Sequence, residues 1–324
     1  MSGTAGITFA SFPQFGYRRI ALNAANSYSG GTHVYATRVS AAAAGCFGTG
    51  VVEVGGGERA GGKVYFGTPG TWTNAFRVAG WGMAENASGA ESHGYGALAF
   101  DADVTLSGSV ELVRETRMCA FSEGVTATLS GTVSGGRLVA WRGNGTLLLS
   151  GSNVYTGGTA IVRSTVAAGC GTSLGTGPVD LDAGVLRFEN AEPAVFANDL
   201  RGCGTVALKG LAPVTFRGDV AQFSGSLDLC GTRQVFTELP PFASLTNSTA
   251  KAATIALAEN LGRIRWSGLA LESEFKLEVG EGTVLDLGGA EIDVYRLVGD
   301  SADRVVNGIV NESHPANGMV LIVR

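Results

Sequence analysis

Short apolar–polar–apolar triplets recur along this chain with little between them but turns. Val52-Glu53-Val54, Val64-Tyr65-Phe66, Val110-Glu111-Leu112, Val179-Asp180-Leu181, Leu186-Arg187-Phe188, Val206-Ala207-Leu208 and Leu227-Asp228-Leu229 all alternate with a period of two. That period puts apolar side chains on one strand face and polar or small ones on the other. The pattern predicts Val52, Val54, Leu147, Leu149, Val179, Leu181, Leu186, Phe188, Val206, Leu208, Leu227 and Leu229 inside, and Glu53, Asp180, Arg187 and Asp228 outside. Gly-Gly-Thr, Gly-Thr-Gly-Pro, Asp-Ala-Gly and Gly-Asn-Gly stand between the triplets, and these residues tolerate positive φ or preset a turn.

Helical patterning is sparse. The 50 glycines in 324 residues would each cost roughly 1 kcal/mol relative to alanine inside a helix. One window, residues 248–260, is rich in alanine and ends before Gly262, yet Thr254-Ile255-Ala256-Leu257 within it reads as a strand, and strand is the expectation.

A long internal repeat organises the triplets. Leu149 to Val179 aligns on Leu22 to Val52 without a gap, at the offset that places Tyr155 on Tyr28, matching Leu, Asn, Tyr, Gly-Gly-Thr, Val, Ala, Gly-Thr-Gly and Val. Phe188 then falls on Phe66 and Phe196 on Phe76. The words F-x-x-D-V at Phe100 and Phe216, and S-G-S-V-E-L at Ser107 against S-G-S-L-D-L at Ser224, extend the match at falling offsets. The first copy carries extra residues, notably 55–62, which lack alternation and are expected in surface loops. Repetition of strands and glycine turns over a long period marks a solenoid. The fold class expected is all-β, a right-handed single-stranded parallel β-helix.

Length fits that architecture, because a solenoid grows coil by coil without one central core. At about 20 to 25 residues a coil, the chain makes on the order of 13 to 16 coils. Residues 1–235 are expected to hold two copies of the long repeat, about 20–112 and 147–229. Residues 236–324, beyond Glu238-Leu239-Pro240-Pro241-Phe242, continue the same β-helix less regularly.

Charge excludes one partner class. A net charge of −5 and a charged content of 16%, with no Lys/Arg run interleaved with aromatics, leave nucleic acid no electrostatic footprint. No apolar run reaches the roughly 18 residues that span a bilayer, so no membrane insertion by this segment is expected. The opening M-S-G-T-A-G-I-T has neither the basic nor the apolar part of a signal peptide.

The chemistry-bearing residues point to no shared site. Cys46, Cys119, Cys170, Cys203 and Cys230 form no C-x-x-C pair and have no histidine at ligand spacing, so neither metal nor a disulfide framework is indicated, and buried or half-buried thiols are expected. Gly171-Thr172-Ser173-Leu174-Gly175 matches G-x-S-x-G, but a nucleophile elbow needs a helix after the serine, and Ser173 aligns with Cys46 in a repeat loop. Gly143-Asn144-Gly145 and Gly202-Cys203-Gly204 precede strands rather than the helix N-termini that cradle phosphate. Gly55-Gly56-Gly57-Glu58 lacks the aspartate of the calcium nonapeptide.

His33, His93 and His314 are scattered with no fixed relation to the repeat and read as surface residues. Asp101 with Asp103, Asp180 with Asp182, and Glu272 with Glu274 could each project two carboxylates from one strand face, and nothing nearby resembles the N-T-D, D-D, H-G and R-I-K series of polygalacturonases. They read as solvated positions. Tyr28 and Tyr155 occupy one repeat site and are expected at a corner, with a sugar-binding aromatic as the alternative. Sequons stand at Asn86, Asn144, Asn247 and Asn311. No catalytic, cofactor-binding or metal residue is assigned.

The words L-S-G-S-N-V-Y-T-G-G-T, S-L-G-T-G-P-V-D-L and G-V-L-R-F, between Gly145 and Phe188, resemble the autotransporter-associated β-strand repeat of large secreted bacterial proteins. Leu22 to Val54 resembles it with Ala24 in place of a glycine and Val51 in place of the proline, and fainter echoes run from Gly204 to Leu229 and from Gly282 to Leu297. The resemblance implies a passenger-type right-handed parallel β-helix at the bacterial cell surface or in the medium. Such a chain acts as a stalk, scaffold or adhesin-like surface without enzymatic activity or cofactor, its export signal not in this chain. Glycans or surface and matrix proteins would be its partners. The alternative is a polysaccharide-acting, pectin-lyase-like β-helix enzyme, which needs acidic and basic groups from successive coils converging in one outer groove. Ile7-Thr8-Phe9-Ala10 and Val320-Leu321-Ile322-Val323 read as strand edges, so end-to-end self-association is a further expectation.

Overall fold

Alternating triplets can bury their apolar face only by stacking on the next coil, and the backbone does this throughout. The structure, a computed structural model, describes residues 1–11, 19–55, 61–83, 95–210, 212–266, 268–313 and the backbone of 321–323. It is an all-β parallel solenoid of about 13 turns. Among the described residues the only helical element is a 3₁₀ segment, Gly299–Arg304. Two compact units divide the chain, residues 1–186 with 198–200, and residues 187–197 with 201–324.

Three inward columns build the first unit. Ile20, Val39, Val64, Leu98, Met118, Ala140, Ile161 and Leu181 are successive in-register parallel partners. A second column runs Ile7, Thr32, Val52, Phe76, Val110 and Val133, and a third Trp72, Leu106, Leu129, Leu149 and Ala168. Each fully buried Val, Leu, Ile or Phe adds about 1.5–3 kcal/mol over its exposed state, and strand neighbours about 4.8 Å apart keep the column in contact. A slip of one residue in any coil would turn its apolar face outward, so the column fixes the register.

The second unit repeats the scheme. Val206, Leu227, Leu245 and Leu271 are in register, as are Gln234, Ile255, Leu277 and Leu297. Gln234 is buried with its Nε2 donating to Gly210 O at 3.0 Å and Thr232 Oγ1 at 2.8 Å, which satisfies the amide inside the core. The strand Gly308–Glu312 stacks parallel on Glu291–Val294 and takes Leu321–Val323 antiparallel on its other edge.

The alternation assigned the core well. All twelve apolar residues expected inside are buried, from 0% exposure for Val52 to 3% for Leu181. The window 248–260 contains a strand, Ala253–Leu257. One outward position is wrong: Asp228 is 6% exposed. Its Oδ1 accepts from Cys230 N at 2.9 Å and Ser248 N at 3.0 Å, so the carboxylate holds a turn instead of facing water.

The repeat is reproduced at the level of single hydrogen bonds. Tyr28 and Tyr155 are buried, with their hydroxyls bonded to Thr32 Oγ1 at 2.6 Å and Thr159 Oγ1 at 2.7 Å. Asn26 Nδ2 donates to Cys46 O at 2.7 Å, and Asn153 Nδ2 to Ser173 O at 2.5 Å. Asn74 Nδ2 donates to Gly48 O and Gly50 O at 3.1 and 2.9 Å, and Asn198 Nδ2 to Gly175 O and Gly177 O at 3.1 and 2.7 Å. Gly48 and Gly175 have φ of +68° and +60°, and a Cβ on either would lie 2.2 Å from the carbonyl oxygen of Tyr28 or Tyr155. Only glycine fits there, for conformation and for space.

These bonds correct the later part of the sequence alignment. Matching Asn198 to Asn74 makes Phe196 the counterpart of Trp72, and Leu200 that of Phe76. Accordingly Trp72 packs edge-on against Phe66 at 4.9 Å, as Phe196 does against Phe188 at 5.5 Å. Asp101 N bonds to Phe66 O and Lys209 N to Phe188 O, so Leu208, not Phe216, corresponds to Phe100. Val110 stacks on Phe76 whereas Leu227 stacks on Val206, so the S-G-S words are echoes without structural equivalence. Insertions differ from coil to coil, and short strand words recur by composition alone.

Candidate functional site

The outer strand faces carry the ionisable groups, and register decides which of them meet. In the first unit, His33, Glu53, Arg77 and Glu111 are successive partners across Thr32–Tyr35, Val52–Val54, Phe76–Gly80 and Val110–Ala120. His33 Nδ1 lies 2.9 Å from Glu53 Oε2, which also accepts from the Tyr35 hydroxyl at 3.2 Å. Arg77 Nη1 donates to Glu53 Oε1 and its Nε to Glu111 Oε2, both at 2.8 Å. Partial burial works to raise the Glu53 pKa, but hydrogen bonds from His33, Arg77 and Tyr35 outweigh it and hold the carboxyl below its ordinary 4.5. Arg77 is held above its ordinary range by Glu111 and then Glu53. A shallow hollow beside this ladder is lined by Tyr35, Glu53, Arg77, Val113 and Arg114.

The ladder brings together acid, base and imidazole, as the enzyme alternative requires. Both of its carboxylates, however, are already held by the one guanidinium between them, Arg77. Its repeat counterparts are Ala160 for His33, Val162 for Tyr35 and Asp180 for Glu53, and Asp180 is instead bridged by Arg137. The site therefore belongs to one copy only.

Farther along the same unit, the Arg117 guanidinium is sandwiched at 3.8 Å from the Trp81 ring and 3.9 Å from Trp141, and is 7% exposed. Burial lowers its pKa from the ordinary 12.5, and the two indole faces supply cation–π attraction where water is excluded.

The residues nominated from sequence are dispersed. Ser173 is fully buried in a turn that no helix follows, its Oγ accepting from Cys170 N at 3.0 Å, so the nucleophile-elbow geometry is missing. His33 is part of the ladder, while His93 and His314 lie outside the described residues. Asp101 and Asp103 sit in the bend before Val104–Leu106, not on a strand: Asp101 accepts from Tyr65 OH at 2.6 Å and Asp103 from Thr126 N at 2.8 Å. Asp180 and Asp182 do share a strand face. Glu272 and Glu274 follow the short strand Ala270–Leu271 and line an open hollow with Asp293 and Glu312. Among the described residues no three His, Cys, Asp or Glu side chains are placed to hold a metal ion.

All five cysteines are free. Cys46 and Cys119 are buried, and desolvation pushes Cys119 up to about 12. Cys230 is pushed up to about 11 by burial and by Asp228. At Cys170 burial raises the pKa, yet the Ser173 and Thr172 hydroxyls outweigh it and the net shift is downward. Cys203 is exposed, contrary to the expectation of buried thiols, because it lies at an outward position of Leu200–Leu208. Of the sequons, Asn247 Nδ2 donates to Thr249 O and Lys251 O, and Asn311 Nδ2 to Glu291 and Asp293, so both amides are committed to the fold; Asn144 is exposed and Asn86 lies outside the described residues.

A second groove lies on the outer face of the second unit, lined by Arg233, Thr254, Lys276, Glu278, Tyr295, Arg296 and Val298. Sequence patterning missed it and missed Tyr35, Arg77 and Glu111 as partners of His33. Each is an ordinary outward residue until strand register shows what stands beside it. The chain matches no known family model, no curated protein and no solved structure.

Proposed function

We propose that this chain is a non-enzymatic, passenger-type solenoid of a large secreted or surface bacterial protein, serving as a stalk or an adhesin-like scaffold. The observation that carries the reading is what the repeat repeats. In both copies the recurring polar groups, the Tyr–Thr hydroxyl pair and the bracketing asparagines, are turned inward and used on the chain's own corners. The outward groups diverge between copies, and the charged groups of the first ladder are engaged with one another. A repeat maintained for its corners maintains a shape, and shape is what a scaffold supplies. The resemblance of residues 145–188 to the autotransporter-associated repeat supports the surface location.

Two measurements test it. Antibody raised against the purified chain should label intact cells of the source, and labelling seen only after permeabilisation would exclude the surface assignment. Incubation with neutral and acidic polysaccharides should release no new chain ends. Cleavage that disappears in the Glu53→Gln variant would replace the scaffold with an enzyme acting at the ladder.

A further inference from the structure

Parallel register makes the second unit's outer groove from one column of side chains. Arg233, Thr254, Lys276 and Arg296 are in-register partners across Arg233–Phe236, Ala253–Leu257, Phe275–Val279 and Arg296–Leu297. Val235, Ala256 and Glu278 are in register two residues farther on, with Ala256 fully buried between them. The coil in the middle contributes Thr254 to the lining of this groove. That short side chain, in register between the long Arg233 and Lys276, leaves a depression whose lining includes Tyr295.

Its charges are not balanced. Among the described residues Glu278 is the only carboxylate lining the groove, and Arg233 takes both of its oxygens, Nε to Oε2 at 2.9 Å and Nη2 to Oε1 at 2.7 Å. That fork holds the Glu278 carboxyl below its ordinary 4.5. Lys276 and Arg296 stand directly side by side on strands about 4.8 Å apart, and neither makes an ion pair among the described residues. Lys276 Nζ reaches only the Tyr295 ring, at 5.9 Å from its centroid. Like charges in register are destabilising, whereas at the first unit's ladder Glu53, Arg77 and Glu111 alternate in sign. Two uncompensated cations stand out in a protein of net charge −5.

We propose that this groove binds an acidic saccharide, its carboxylate or sulfate held between Lys276 and Arg296 and a sugar ring laid against Tyr295. The anion removes the Lys276–Arg296 repulsion, and the Arg296 guanidinium offers the planar fork that suits carboxylate and sulfate oxygens. The Thr254 hydroxyl and the Tyr295 ring among the groove's lining residues suit a polar ring. The inference goes beyond the scaffold reading and stands or falls separately from it.

The test is calorimetric titration of the whole chain with a short hyaluronan oligosaccharide, with the same oligosaccharide methyl-esterified at its carboxylates, and with inorganic polyphosphate. Binding of the acid is expected, weakening with added salt, and the ester should bind at least about ten-fold more weakly. Lys276→Met and Arg296→Gln should each lose about ten-fold or more, while Lys251→Met, at an exposed position outside the groove, changes nothing. As a check independent of ligand, Lys276→Met alone should unfold no earlier than the parent, since it relieves repulsion. Equal affinity for acid and ester, full binding by both groove variants, or absence of binding by the acid would each overturn the proposal. Polyphosphate binding as tightly as the saccharide would replace it with a general anion site.

Discussion

At the scale of single residues, the corner hydroxyl pairs show why this sequence tolerates little change where it repeats. Tyr155 is fully buried, and burial drives its pKa well up, so its hydroxyl stays neutral and bonded to Thr159. Tyr155→Phe keeps the ring and leaves the Thr159 hydroxyl without that partner, a loss of about 1–3 kcal/mol. Urea unfolding followed by circular dichroism should show an earlier midpoint for Tyr155→Phe than for Val154→Thr at the neighbouring exposed position, and equal midpoints would refute the role given to the hydroxyl. Phe188 belongs to the same argument. It is 1% exposed and meets Phe196 at 5.5 Å and Phe216 at 6.0 Å, so Phe188→Ala should cost about 3–5 kcal/mol.

At the scale of elements, strand register turns isolated charges into ladders, and a ladder has a pH signature. The Glu53 carboxyl is held below its ordinary 4.5 in the folded chain, so folding favours its charged form. Its contribution is therefore complete above about pH 4.5 and is lost as pH falls through the lower folded value. Partly exposed pairs of this kind add only about 0.2–1 kcal/mol each. Unfolding midpoints measured from pH 7 down to pH 3 should fall less steeply for Glu53→Gln than for the parent. Parallel slopes would show that the ladder is not coupled to folding. The variant should also be slightly less stable at pH 7, since Arg77 and His33 lose a partner.

At the scale of the whole molecule, the five thiols sample very different depths of the fold and report on it together. Cys203 is exposed, Cys170 and Cys230 are half-buried, and Cys46 and Cys119 are buried. Reactivity follows access and thiolate content, so a thiol reagent at neutral pH should modify Cys203 first. Cys170, whose pKa is lowered, should follow ahead of Cys230, which is pushed up to about 11. Cys46 and Cys119 should react only when the coils around them open. Mass spectrometry of the labelled chain gives the order, and early modification of Cys119 would contradict its burial at 1% exposure.

What the sequence determined by itself was everything local and everything periodic. Alternation placed all twelve named core residues, because a period of two allows only one face to be dry. The gap-free repeat placed Tyr28 on Tyr155 and Gly48 on Gly175, because a corner built on one hydroxyl pair and one cramped glycine admits few substitutes. Beyond Phe66 the alignment drifted, since coils that differ in length offer several similar strand words, and only the Asn74 and Asn198 brackets showed that Trp72 answers to Phe196. The outer sites were likewise decided by tertiary structure. Glu53 and Arg77 are 24 residues apart in the chain, and Arg233 and Glu278 are 45. Nothing in their spacing says that one will stand above the other. Coil length sets that, and coil length is fixed by turns whose geometry only the folded chain reveals. Asp228 shows the same limit at one residue: alternation turned it toward water, and a bend it had no means of announcing drew it in.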